Sequence, residues 1–232
     1  MTTRTRPVVA IDGPVGAGKS TVARALARTL GFHYLNTGAM YRAVAVAARY
    51  SNIDENAADR RLEQLLDSIA IDFEGERVLL DGEDVTAGIS QPAIGDLASR
   101  LSTRAVVRAH LRKLQRAAGE TGGVVIEGRD IGTAIFPDAE FKFFLTADLK
   151  VRAERRFAEL AARAVAITEV EVLTQLEERD RRDQQRELAP LRPADDAIAI
   201  DSSKLDVEQV VRAMLARVEP QVERGKAAEL KR

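Results

Sequence analysis

The stretch Gly13-Pro14-Val15-Gly16-Ala17-Gly18-Lys19-Ser20-Thr21 follows directly on the apolar run Val8-Val9-Ala10-Ile11, and its reading decides that of the whole chain. It fits the pattern G-x-x-x-x-G-K-[ST], in which a glycine-rich loop between a strand and a helix wraps a polyphosphate. Glycines let successive backbone N–H groups converge on phosphate oxygens with no Cβ in the way. Lys19 supplies a point charge for the β- and γ-phosphates, and the Ser20 hydroxyl is placed to ligate Mg²⁺. Behind the loop, Val22, Ala25, Leu26, Thr29 and Leu30 recur at helical spacing, and Gly31 stands where a left-handed C-terminal cap belongs. The N-terminus of that helix faces the anion. A chance glycine-rich turn would explain the glycines, but not the strand before, the helix after and the Lys-Ser pair between.

With 232 residues, 45% of them hydrophobic, the chain can bury a full core as a single domain. No apolar run approaches the roughly 20 residues that span a bilayer, and Met1 to Arg6 is too short and polar for a signal peptide. The absence of cysteine excludes a disulfide framework, a thiolate metal site and a thiol nucleophile, and a cytoplasmic location is the simplest account. The 35 basic and 36 acidic side chains nearly cancel, so no global field draws the protein to nucleic acid or membrane. Any bound anion must be held by local Arg and Lys.

Along the chain, short apolar strands at Val8–Ile11, Val124–Glu127, Phe141–Leu145 and Ile198–Ile200 alternate with helical patterns near 19–30, 103–118, 149–163 and 206–218, the rhythm of a parallel α/β sheet. Two stretches interrupt it. Residues 68–80 read as a hairpin, followed by Asp81-Gly82 and a helix that Ser90 could cap, which together suggest a small insert. From Val151 to Pro193 the chain is densely charged, with a capping box at Thr168 and Glu171, and reads as a mobile helical lid. Residues 221–232 read as a frayed polar tail.

Three further constellations can carry chemistry. Glu127-Gly128-Arg129-Asp130-Ile131-Gly132 lies at the carboxyl end of a strand, where ligands bind in open parallel sheets, so Arg129 and Asp130 should emerge near the phosphate loop. In Asn36-Thr37-Gly38-Ala39-Met40-Tyr41-Arg42, Thr37 can cap a helix, and its hydroxyl with the Arg42 guanidinium makes a second anion site. The run from Glu178 to Glu187 holds Arg179, Arg181, Arg182 and Arg186 with no apolar stripe after Leu176. Such runs are commonly surface helices laced with ion pairs, yet a lid of guanidiniums could also close over a transferring phosphate and exclude water. The two histidines, His33 and His110, read as packing or surface residues, because phosphoryl transfer calls for positioning and charge more than for a strong base.

Taken together, the phosphate loop, Thr37–Arg42, Glu127–Gly132, Phe136-Pro137-Asp138, Glu178–Arg186 with Ala189-Pro190-Leu191, and Ile200-Asp201-Ser202 resemble bacterial cytidylate kinase, a P-loop nucleoside-monophosphate kinase, from about residue 7 to 218. The resemblance implies a five-stranded parallel sheet flanked by helices, with a core of about 7–62, 102–150 and 195–219. To this are added a nucleotide-monophosphate insert of about 63–101, a lid of about 151–194 and a tail of 220–232. It implies ATP-dependent, Mg²⁺-assisted phosphorylation of CMP and dCMP by a cytoplasmic monomer, within pyrimidine nucleotide metabolism. Carried onto this chain, Gly13, Pro14, Val15, Gly16, Ala17, Gly18, Lys19, Ser20 and Thr21 would bind ATP, with Ser20 on the metal. Arg42, Arg129 and Arg186 would hold the acceptor phosphate beside Thr37, and Arg179 and Asp183 would meet the ribose. Lys19, Arg129, Arg179 and Arg186 would form the catalytic set. Ser99, Arg108 and Asp130 would read the base: cytosine offers an N4 donor to a carboxylate, where uracil presents an acceptor. The family commonly has Asp-Ser where this chain has Asn36-Thr37, which removes a charge and keeps the hydroxyl.

Two other classes fit parts of the pattern. A small-metabolite P-loop kinase would share residues 13–21 and the lid, and only the set Ser99, Arg108 and Asp130 argues against it. A GTPase switch would need Asn-Lys-x-Asp for guanine, and no Asn here is followed by Lys.

Overall fold

The computed structural model describes residues 4–229. The chain divides into two compact units, one formed by the segments up to Leu35 and from Ala118 onward, the other by Asn36–Ala117.

In the first unit β1 (Val8–Asp12) is the middle strand of a five-stranded sheet, with β2 (His33–Asn36), β6 (Val124–Gly128), β7 (Phe141–Thr146) and β8 (Ile198–Asp201) in the order β2-β6-β1-β7-β8. β1 pairs in parallel with β6 and β7, and β7 with β8. β1 and β6 are buried along their whole length, which is why both read as unbroken apolar runs. α1 (Lys19–Leu30) buries Val22, Ala23, Leu26, Ala27 and Leu30, and Gly31 closes it in the left-handed region, with Phe32 N donating to Ala27 O at 2.9 Å. The same core takes in Val210, Val211, Met214, Val218 and Val222 of α9 (Val207–Glu229). That finding corrects the frayed tail expected from residue 221: Val222 continues the apolar spacing of Met214 and Val218, and helix persists through Pro220 to Glu229. Residues 230–232 of that expected tail, like residues 1–3, lie outside the described residues. Among the described residues no helix is long and apolar enough to cross a membrane.

α7 (Leu149–Ala162) and α8 (Glu169–Gln185) pack through Ala153, Leu160, Val172 and Leu176. The Thr168–Glu171 capping box starts α8 as expected, Thr168 N donating to Glu171 Oε2 at 2.7 Å and Glu171 N to Thr168 Oγ1 at 3.2 Å.

In the second unit the Ala/Val-rich α2 (Thr37–Tyr50) is buried among α3 (Asp59–Ser68), β4 (Arg77–Leu80), α4 (Thr86–Ile89) and α5 (Pro92–Leu101), while α6 (Ala105–Ala118) closes it. The hairpin is present as β3 (Ile71–Glu74) against β4, and a two-residue strand β5 (Glu83–Asp84) extends it. Two expected caps shift by one residue. Asn36, not Thr37, caps α2, its Oδ1 accepting from Ala39 N at 3.0 Å, and Thr37 becomes the first helical residue. Ser90 ends α4 as its C-cap residue rather than starting α5: its Oγ donates back to Thr86 O at 3.1 Å, and α5 starts after Gln91 with Pro92 in its first turn.

One tether joins the sheet to the turn beyond β6. Asp12 ends β1 and accepts from Ile131 N at 2.8 Å and Gly132 N at 2.7 Å, at the start of a single π-helical turn Ile131–Ile135. Burial pushes the Asp12 carboxyl up to about 6, helped by the nearby Asp130 charge and opposed by the two N–H donors and by Lys19. An unfolded aspartate titrates near 3.8, so between that value and about 6 the folded chain holds more protons than the unfolded one. The contribution of Asp12 to stability is full below 3.8 and is lost as pH rises through about 6, an amount on the order of 2–3 kcal/mol. Raising the pH across that window should therefore lower Tm more, or raise it less, in the ligand-free wild type than in Asp12→Asn, which cannot titrate. Equal slopes in the two proteins would mean that the carboxyl keeps its ordinary titration.

Candidate active site

The loop after β1 approaches its neighbours more closely than a side chain allows. A Cβ placed on Gly13, whose φ is +150°, would lie 1.9 Å from the Leu145 carbonyl oxygen. One on Gly16 would lie 3.0 Å from Cβ and O of Arg152. Gly18, left-handed at φ 88°, is the N-cap of α1 and offers no side chain to the first-turn N–H groups, the arrangement of a helix that receives an anion. Lys19 is buried, and its Nζ donates to Pro14 O at 2.6 Å across the loop. Burial, with the charges of Arg129 and Arg179, pushes its ammonium well below its ordinary value, while Glu127 and Asp12 pull the other way. A polyanion in the loop would give that lysine the counter-charge it needs.

Glu127, at the end of β6, accepts from the Tyr34 hydroxyl at 2.6 Å. Burial, and then the Glu127 charge, raise the Tyr34 phenol far above its ordinary value, so it stays protonated.

The lid residues meet the residues after β6 in two crossed ion pairs. Arg129 Nε donates to Asp183 Oδ2 at 2.9 Å, and Arg186 Nη2 donates to Asp130 Oδ1 at 3.0 Å. The Arg186 and Asp130 side chains are 4% and 8% exposed. Burial pushes the Asp183 carboxyl up, but the guanidiniums of Arg129, Arg179 and Arg186 outweigh it and hold it below the usual carboxylate value. Arg186 also donates from Nε to Ala189 O at 2.6 Å. No apolar stripe follows Leu176, as read from the sequence, but the end of the helix is anchored by polar groups: Asp183 is buried, and Arg186 is tied down by Asp130 and Ala189.

Arg152 connects loop and lid. Its Nε donates to Ala147 O at 2.9 Å, and its Nη1 reaches Val15 O at 3.2 Å and Asp180 Oδ2 at 2.7 Å. On the far side of the loop Ser202 Oγ donates to Ala17 O at 3.1 Å, and Arg155 holds Ser202 by donating to Ser202 O at 2.7 Å.

The remaining sequence-predicted residues lie in the second unit. The Arg42 guanidinium folds back over the first turn of α2, where a Cβ on Gly38 would stand 3.8 Å from its Nη2. Thr37, Ser99 and Arg108 are buried, and Arg108 Nη1 donates to Ser102 O at 3.3 Å. The structure thus gathers Lys19, Arg129, Arg179, Asp130, Asp183 and Arg186 beside the loop Gly13–Thr21 in one unit, and holds Thr37, Arg42, Ser99 and Arg108 in the other. Sequence reasoning missed Asp12, Tyr34, Arg152 and Asp180. Only Asp12 left a signal, as the acid that ends an apolar strand directly before the glycine loop.

The chain is also similar to known proteins. A family model described as cytidylate kinase matches residues 9–220. A cytidylate kinase of Pelotomaculum thermopropionicum is 50% identical over 216 residues, covering 91% of this chain and 96% of that protein. One from Geobacter sp. strain M21 is 47% identical over 221 residues, covering 94% and 95%. A crystal structure of an uncharacterized protein from Eubacterium ventriosum shares the fold, with a TM-score of 0.52 at 16% identity over 93% of this chain and 99% of that one. With most of its length matched by both the model and these relatives, the chain belongs to the cytidylate kinase family.

Proposed function

We propose that this protein transfers the γ-phosphoryl group of ATP to CMP and dCMP, releasing CDP or dCDP and ADP. Membership of a family whose members are named cytidylate kinase supports the substrate. The observation that carries the chemistry is the buried Lys19 ammonium, crowded by Arg129 and Arg179 beside a glycine loop: charge of that density in a desolvated site is matched by a polyphosphate. A terminal oxygen of the acceptor phosphate attacks the γ-phosphorus as the bond to the β-phosphate oxygen breaks, and charge spreads over the transferring oxygens. Lys19 and the backbone N–H groups of the loop Gly13–Thr21, Pro14 excepted, hold the ATP phosphates. Arg129 and Arg186 hold the acceptor phosphate with Thr37 and Arg42. Arg179 and Asp183 meet the ribose, Arg179 also facing the charge that develops. The lid helices keep water, the competing acceptor, away.

Mg²⁺ fits the site, because the Ser20 hydroxyl at the first turn of α1 supplies a hard oxygen next to where the phosphates lie. When bound, the ion neutralises charge shared by the β- and γ-phosphates. Ser99, Arg108 and Asp130 read cytosine, with Asp130 accepting from N4. A single chain carries every residue in this account, and we place it as a monomer in the cytoplasm, serving pyrimidine nucleotide metabolism.

A coupled assay of ADP release should show rapid turnover with CMP and dCMP, slower turnover with UMP, and little with AMP or shikimate. Preference for any of the last three would replace the acceptor. Asp130→Asn offers uracil O4 a donor and removes a charged acceptor from cytosine. The ratio of kcat/KM for CMP over UMP should then fall by roughly 10- to 100-fold, the equivalent of about 1.5–3 kcal/mol. A ratio unchanged within about threefold would remove Asp130 from the base pocket.

Because the Arg186–Asp130 pair is buried, Arg186→Ala should lower kcat by roughly 10²–10³ and also cost about 3–5 kcal/mol of stability in urea unfolding. Arg186→Lys keeps the charge but loses the planar fork, so it should restore stability more fully than turnover. Full turnover in Arg186→Ala would assign this residue a structural role alone.

A further inference from the structure

The motif Ile200-Asp201-Ser202 takes no part in the chemistry above, yet it ends on a serine bonded to the phosphate loop. Ser202 is 3% exposed, and each of its polar groups is engaged. Its N–H donates to Thr146 O at 2.8 Å, and Arg155 grips it with two nitrogens, Nη1 donating to Oγ at 3.1 Å and Nη2 to the carbonyl at 2.7 Å. A guanidinium only donates, so the hydroxyl proton must go elsewhere, and it goes to Ala17 O at 3.1 Å. That bond holds the peptide between Ala17 and Gly18. A trans peptide is planar, with its N–H opposite to its C=O, so drawing Ala17 O to Ser202 turns the Gly18 N–H the other way. Sterics do not enforce this orientation. Gly18 is left-handed at φ 88°, and a Cβ placed on it would meet nothing within 4 Å, whereas Gly13 and Gly16 are crowded by Leu145 and Arg152. A glycine in open space lets the preceding peptide turn over, which would exchange a donor for an acceptor in a loop that binds an anion. The Ser202 hydroxyl removes that freedom.

We infer that Ser202 is a positioning residue for the phosphate loop: clamped by Arg155, its hydroxyl holds the Ala17–Gly18 peptide so that the Gly18 N–H is presented to the ATP phosphates. The inference rests on the reading of Gly13–Thr21 as the ATP site proposed above. Ser202 acts through the loop and not by contact with the nucleotide. Its share of the affinity is that of one N–H donor to a charged oxygen, kept or lost with the orientation of the peptide, roughly tenfold.

The test is calorimetric binding of the imido analogue of ATP (β,γ-imido-ATP) with Mg²⁺, and separately of CMP, to the wild type, Ser202→Ala and Arg155→Met, none of which requires turnover. Ser202→Ala should bind the analogue about tenfold more weakly and CMP within about twofold of the wild type. Arg155→Met, which leaves the hydroxyl but frees it to rotate, should fall between the two. A lower Tm with unchanged affinity for the analogue would make Ser202 a staple of the fold alone and overturn the inference. So would a loss shared equally by CMP, because the peptide faces only the ATP phosphates. If the wild type fails to bind the analogue, the ATP site itself falls and the inference with it. A second measurement leaves Ser202 in place. The chain has three Ala-Gly peptides, at 17–18, 87–88 and 118–119, and Ala87→Ser with Ala118→Ser, both at exposed positions, leaves only the first. With alanine labelled at its carbonyl carbon and glycine at its nitrogen, that one peptide is read by NMR. On adding the analogue the Gly18 amide signal should shift while the Ala17 carbonyl carbon stays, because the peptide already has its binding orientation. An indifferent amide, or a carbonyl that shifts strongly as the peptide turns over, would overturn the inference even if Ser202→Ala could not be folded.

Discussion

A lysine ammonium removed from water is the constraint around which the first unit is arranged. Lys19 is buried at the start of α1 with the positive charges of Arg129 and Arg179 in its field, and Glu127 and Asp12 are the carboxylates that offset them. Each of those carboxylates is held by a neutral donor, Asp12 by two backbone N–H groups and Glu127 by a phenol. Neutral donors fix the acids in place without adding positive charge to a region that already holds too much. The outcome is a preorganised electrostatic environment that costs the fold stability. Chemistry in which charge migrates across phosphoryl oxygens gains most from such an environment, since nothing must reorient as the charge moves.

The same economy governs the lid. Adjacent residues after β6, Arg129 and Asp130, are engaged by Asp183 and Arg186, three positions apart at the end of α8, with the signs crossed. Crossing the signs makes the docking register-specific, because a shift of α8 by one residue would lose both pairs. A hydrophobic contact alone would tolerate that slip more easily. Here the apolar contact with α7 stops at Leu176, and the ion pairs take over where the helix nears the site.

What could be read in advance was local. The strand–loop–helix unit 8–31 was legible because its periodicity, glycines and cap lie within one contiguous stretch, and the Thr168–Glu171 box because both partners are three residues apart. β5 has only two residues, and β2, His33-Tyr34-Leu35-Asn36, carries neither an apolar run nor a turn signal; it stands beside β6 in the sheet. Asn36 and Thr37 are both good caps, and only the first helical hydrogen bond chooses between them. Of Arg152, Arg155 and Arg156, three similar side chains within five residues, only the packing of α7 shows that the first turns under the loop while the last pairs with Glu159. Tyr34 was invisible as a partner of the site because the carboxylate it donates to stands 93 residues after it.

Arg152 is a resource shared between loop and lid. One guanidinium serves the carbonyls of Val15 and Ala147 and the carboxylate of Asp180, so a single buried cation has its partners spread over the loop, the end of the sheet and the lid. Were α8 to swing away from α7, it would take Asp180 with it and leave a buried cation with carbonyl partners alone. Displacing α8 is thereby coupled to the loop, because the cation that Asp180 neutralises is the one whose guanidinium holds the carbonyls of Val15 and Ala147.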